Sequence, residues 1–102
     1  MENPNNRMVA AGRLEKAVEL SHEVMNEPFY SGILLVKRLS GTVDRLPVTL
    51  PGKLITGAEW PQDALLSVQG QVRSYNKVVE GAGRLMVTLF AQHVSAGAEN
   101  DT

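Results

Sequence analysis

From residue 84 to residue 94 the chain alternates strictly, with Leu85, Val87, Leu89 and Ala91 set against Met86, Thr88, Phe90 and Gln92. A helix groups its apolar residues three and four apart, so a repeat of two argues for a strand with one face on a core. The same repeat runs over residues 64–74 through Leu66, Val68, Gly70 and Val72. It also runs over residues 7–20, where Met8, Ala10, Gly12 and Leu14 oppose Arg7, Val9, Ala11 and Arg13. A helix over residues 8–20 is the alternative there. Gly12 would weaken a flat strand but suits one that bends to serve both halves of a small barrel.

The remaining segments fit between these strands. Residues 21–28 are polar and end in Pro28, which predicts a loop. Residues 29–39 predict a second strand with apolar side chains on both faces: Gly32, Leu34 and Val36 in one set, Ile33 and Leu35 in the other. Something besides water is expected to cover the second face. Residues 44–50 predict a short third strand that Pro47 confines to an edge or an irregular position. Residues 53–63 are too broken for a long helix and predict a helical turn or a loop. Residues 75–83 predict a glycine-rich hairpin connection, able to extend as a finger between the fourth strand (64–74) and the fifth (84–94). The sum is an all-β, five-stranded OB-type Greek-key barrel with a short helical or irregular insert between strands 3 and 4. Its expected bounds are 7–94, between a flexible N-terminus at 1–6 and a flexible polar tail at 95–102.

Composition narrows the function. With 102 residues there is room for one core and not two. There is no cysteine, which removes disulfides, thiolate metal sites and cysteine nucleophiles. No apolar run approaches a membrane span, and the first residues lack the pattern of a secretion signal, so a cytoplasmic location is expected. Acidic and basic residues nearly balance at a formal charge of −1, which lends no global support to phosphate binding. Distribution is more informative. Glu2, Glu99 and Asp101 sit near the ends, whereas Lys37, Arg38, Arg45, Arg73, Lys77 and Arg84 fall in the body.

Four blocks, in order, resemble the bacterial and phage single-stranded DNA-binding proteins over residues 6–94. They are NRMVAAGRL at 6–14, LPVTLPGKL at 46–54, GQVRSYNK at 70–77 and RLMVTLFA at 84–91. The resemblance implies a homo-oligomer, dimer or tetramer, that holds one strand across an open barrel face in replication, repair or recombination. Two features depart from the family. Its members commonly carry tryptophan and phenylalanine at stacking positions of the third strand, where this sequence has Arg45 and Pro51. The family's glycine-rich acidic tail, which recruits other replication proteins, is missing. Weaker stacking and absent or altered recruitment are therefore expected.

On this reading Arg38, Arg45, Arg73, Lys77 and Arg84 contact phosphate in a sequence-tolerant way, and Tyr75 stacks on a base. Ile33, Leu35 and Met86 are expected to be exposed on a lone barrel and to form the oligomer contact. Trp60, beside Pro61, is read as a plug under the barrel. Phe29, Tyr30 and Phe90 are assigned to core or interface. His22 and His93 lack the carboxylates of a metal site, no nucleophile pattern is readable, and neither cofactor nor catalysis is expected. Two rivals stand beside this reading. One is a primosomal replication-restart accessory, with replication proteins as possible partners. The other is an OB module for protein assembly without DNA binding.

Overall fold

The computed structural model describes residues 6–55 and 60–96. In chain order the elements are β1 (Met8–Leu14), β2 (Glu19–Val24), β3 (Glu27–Lys37), β4 (Val43–Pro51), α1 (Gly52–Ile55), β5 (Leu65–Val79) and β6 (Ala82–Ala96). They form one sheet in the order β1-β5-β6-β4-β3-β2, and β1 also pairs with β3 to close the barrel. The β4–β6 contact is parallel and consists of Val48 beside Leu89 and Thr49 beside Phe90. All other pairings are antiparallel. This is the expected OB-type barrel with a helical turn between the strands at 43–51 and 65–79.

The inward side of the alternation makes the core. Leu14, Leu34, Leu50, Leu66 and Leu89, together with Val48 and Val68, are almost completely enclosed. Burying each leucine stabilises the fold by about 1.5–3 kcal/mol. Ile55 of α1 seals one end beside Trp60, whose indole N–H donates to the Ile55 carbonyl at 3.3 Å. Trp60 is half-buried there, and one side of it lines an open groove of about 710 Å³ with Val18, Pro28 and Tyr30.

Closure depends on two close approaches. β1 pairs with β5 from Met8 to Arg13 and with β3 at Arg13 and Leu14, so it changes partner next to Gly12. A Cβ on Gly12 would run into the carbonyl oxygen of Leu35, and one on Gly70 into that of Phe90. Gly70 lies at a register shift in the β5–β6 ladder, where the strand bends.

The strand count differs from the expected five. The stretch 7–20 is not one strand: β1 stops at Leu14, and β2 begins at Glu19 and continues through most of the expected loop. Every residue of β2 is exposed, so its pairing with β3 leaves no hydrophobic pattern in the sequence. Met25 and Asn26 join β2 to β3, both with positive φ, the conformation of a tight two-residue hairpin turn. The expected finger is likewise regular. β5 and β6 stay paired to Val79 and Ala82, and Glu80 and Gly81, again with positive φ, make the turn.

At the margins, β6 extends to Ala96, two residues past the expected domain end. Asn6, placed in the flexible N-terminus by sequence, exchanges two hydrogen bonds of 3.0 Å with the backbone of Val72. Residues 1–5 and 97–102, which carry the rest of the expected flexible ends, lie outside the described residues.

Gly12→Ala is expected to cost about 1–3 kcal/mol of stability, because the new methyl group meets backbone that cannot turn aside. Gly83→Ala, where a Cβ meets nothing, serves as the control. Urea melts of the two variants read the difference.

Candidate nucleic-acid interface

Directly opposed residues of an antiparallel pair point to the same side of a sheet, and successive residues alternate. With Leu34, Val48 and Leu89 turned inward, the outward face carries Phe29, Ile33 and Leu35 on β3, and Arg45, Pro47 and Thr49 on β4. It continues over β6 with Met86, Thr88 and Phe90, and over β5 with Arg73, Tyr75 and Lys77. The Thr49 and Thr88 hydroxyls meet at 2.9 Å where β4 and β6 touch, and Thr88 also donates to the Pro47 carbonyl at 3.2 Å.

Four of the six expected strand-binding residues come together on the β5–β6 hairpin of this face. Arg73, Tyr75 and Lys77 follow at every second position of β5, and Arg84 stands directly opposite Lys77 on β6. Tyr75 is half exposed and faces Met86. Lys77 and Arg84 are exposed and have no carboxylate partner among the described residues. Two like charges directly opposite destabilise a ladder unless an anion joins them. Arg73 differs, since its guanidinium lies 4.0 Å over the Phe90 ring.

Arg38 and Arg45 are engaged elsewhere. Arg45 donates from Nε and Nη2 to the two carboxylate oxygens of Glu15, at 2.7 and 2.8 Å. Arg38 grips Asp44 with the same fork, both distances 2.7 Å. Bidentate pairs of this kind are the strongest form of charge-assisted hydrogen bond. Each lowers the pKa of its carboxylate, chiefly through the arginine hydrogen bond, and raises that of the arginine. Each arginine spends two of its five N–H donors on a carboxylate whose charge offsets its own.

Ile33, Leu35 and Met86 are half-buried rather than exposed, and they share the outward face with Arg45 and Tyr75. One group of exposed apolar residues lies on the other face of the finger. Val72, Val78, Leu85 and Val87 are on the side that Leu89 carries into the core, and past the barrel wall nothing among the described residues covers them.

No family model matches the sequence, and no curated protein does. Among solved structures, the chain is similar to the N-terminal domain of the PriB protein from Thermoanaerobacter tencongensis, whose structure is dimeric. The two are 36% identical with a TM-score of 0.82, over 93% of this chain and 99% of that one. This chain belongs to the PriB family. A small single-stranded DNA-binding protein from Streptomyces coelicolor superposes with a TM-score of 0.67 at 17% identity, over 89% of this chain and 93% of that one, a likeness of fold.

On this PriB-family barrel the outward face also carries groups that the sequence reading assigned to core or interface. Phe29 and Phe90 are half-buried there, and His22 of β2 lies against Phe29. A two-residue spacing from Arg73 and Arg84 marks the right parity for β5 and β6, but no local signal places Phe29 beside Phe90.

Because Glu15 and Asp44 titrate below their ordinary values of 4.5 and 3.8, the pairs stabilise the fold above the ordinary carboxylate range. That contribution is lost as pH falls through the lowered values. Carboxyl-carbon NMR titration of the folded protein is expected to show both midpoints displaced downward. Arg45→Ala should return Glu15, and not Asp44, to the ordinary range.

Proposed function

We propose that the chain binds single-stranded DNA on this outward face, as a replication protein, with limited dependence on base sequence. The observation that carries the reading is the convergence of Arg73, Tyr75, Lys77 and Arg84 on one face of the β5–β6 hairpin. A flat aromatic group, Tyr75, beside the cations Lys77 and Arg84 matches the two parts of a nucleotide, base and phosphate. The dispersed charge of the whole chain is no obstacle. Phosphate responds to the local field, and among the described residues Lys77 and Arg84 of the finger have no carboxylate partner. Membership of the PriB family favours the restart-accessory version of this role, in which other replication proteins are partners.

Dimerisation is part of the proposal, in keeping with the dimeric PriB domain. The surface with the right character is the inner face of the finger, where Val72, Val78, Leu85 and Val87 are exposed together. A dimer joined there leaves the outward face of both copies open. Leu85→Glu is expected to give monomers of unchanged fold in sedimentation at micromolar concentration, and a dimer that persists in this variant moves the contact elsewhere.

The function is tested by titrating oligothymidine at several salt concentrations. Log affinity should fall linearly with log salt, at about 0.7 per phosphate neutralised on a single strand. Lys77→Ala should weaken oligothymidine and mixed sequences alike and flatten the slope by about that amount. Glu15→Gln acts in the opposite sense: it releases Arg45, so binding should tighten and the slope steepen. Failure of the wild type to bind at low salt rejects the reading in favour of a protein-assembly module.

A further inference from the structure

Four planar side chains from four strands meet on the outward face. His22 of β2 lies flat against Phe29 of β3, with ring centroids 5.0 Å apart and planes within 5° of parallel. Phe29 in turn meets Phe90 of β6 at 5.9 Å and a tilt of 44°. Arg73 of β5 closes the row over Phe90, and its Nη2 is steadied by Gln71 Oε1 at 3.2 Å. The row thus crosses the junction between β4 and β6 without using a residue of β4.

We infer that this row is a nucleobase-stacking subsite, in which Arg73 acts as a plane and not as a phosphate contact. The inference deepens the reading of this face as a single-strand interface and rests on it. Arg73 and His22 are both exposed, and each covers a phenyl ring with only one of its two faces. The other face of each is flat, polar at its rim and turned outward. Guanidinium and imidazole planes are surfaces on which unstacked bases settle. His22 and Phe29 at 5.0 Å, and Phe29 and Phe90 at 5.9 Å, stand inside the 4.5–7 Å range of favourable aromatic pairs. Arg73 delocalises its charge into a ring contact, which leaves it less suited to an end-on grip of phosphate than Lys77 or Arg84.

Charge favours bases over phosphates at the far end of the row. β2 carries Glu19 on the outward side, and among the described residues its ion pair is with Lys16, at 3.4 Å. A phosphate is not drawn to that edge, whereas the uncharged face of a base meets no such penalty. The strand therefore lies with its phosphates toward Lys77 and Arg84, and the bases beyond the one at Tyr75 toward the row. Double-stranded DNA, whose bases are already stacked, gains nothing from it.

The test compares two probes of equal length on the full chain: oligothymidine, and the same phosphodiester backbone made of abasic units. Stacking contributes about 1–3 kcal/mol per base, so the wild type should prefer oligothymidine by at least about fivefold for each base engaged. Phe29→Leu and His22→Ala should erase most of that preference while leaving the slope against salt unchanged. Arg73→Lys, which keeps the charge and loses the plane, should do the same. His22 is exposed, so its variant reports on binding even where a phenylalanine variant weakens the fold. The inference is overturned if Phe29→Leu and His22→Ala keep the wild-type preference, or if Arg73→Lys binds as the wild type while Arg73→Ala flattens the slope. Binding of neither probe by the wild type rejects the interface reading itself, a result distinct from either of these.

Discussion

A small barrel has to let one strand serve two partners, and in this protein the requirement falls on β1 at Gly12. There the backbone passes so close to the Leu35 carbonyl that no side chain fits between them. Because β1 leaves β5 for β3 at this point, Leu14 swings inward to join Leu34 and Leu66, and the sheet curls instead of lying flat. The second close approach, at Gly70, bends β5 away from the barrel wall. From Gln71 onward β5 becomes one strand of the finger, with Arg73, Tyr75 and Lys77 on one side and Val72 and Val78, with Leu85 of β6, on the other. Interface and core thus depend on the same two missing methyl groups.

The charges of the face are arranged in two ways. At the β3–β4 end, Arg45 is satisfied internally by Glu15, and an exposed pair of this type contributes little to stability. On the finger, Lys77 and Arg84 face one another across the ladder with no such relief among the described residues. A ligand anion is attracted first to the unsatisfied pair, because the charge of Arg45 is already offset by Glu15. Near-neutral composition and a locally basic face are compatible for this reason.

Alternation made the inward half of the fold readable. Leu85 through Ala91 and Leu66 through Val72 lie on the expected faces, and from their parity Arg73, Tyr75, Lys77 and Arg84 fall together. The pattern failed where burial does not discriminate. β2 is exposed along its length, so nothing in its composition separates it from β1 or from a loop. Met25 in a tight turn is invisible as well, since a positive φ is rarely taken by methionine. On β3 both faces are apolar, and a single sequence does not say which of Phe29 or Tyr30 looks outward. Pro51 takes the place of a stacking ring common in the family that the sequence resembles, and Phe29 stands directly across the ladder from it. The carboxylate that occupies Arg45 is 30 residues away in the chain, a relation that only the fold creates.

The brief parallel contact of Val48 and Thr49 with Leu89 and Phe90 is the barrel's seam. Apart from the equally short β1–β3 closure, the other ladders are longer and antiparallel, so spontaneous opening is easiest along these two lines. Phe29 lies on one bank of the seam and Phe90 on the other. Anything that settles across both works as a suture, joining the two halves of the barrel from outside. Occupancy of the face and rigidity of the fold are thereby made the same variable, although no residue of the core is touched.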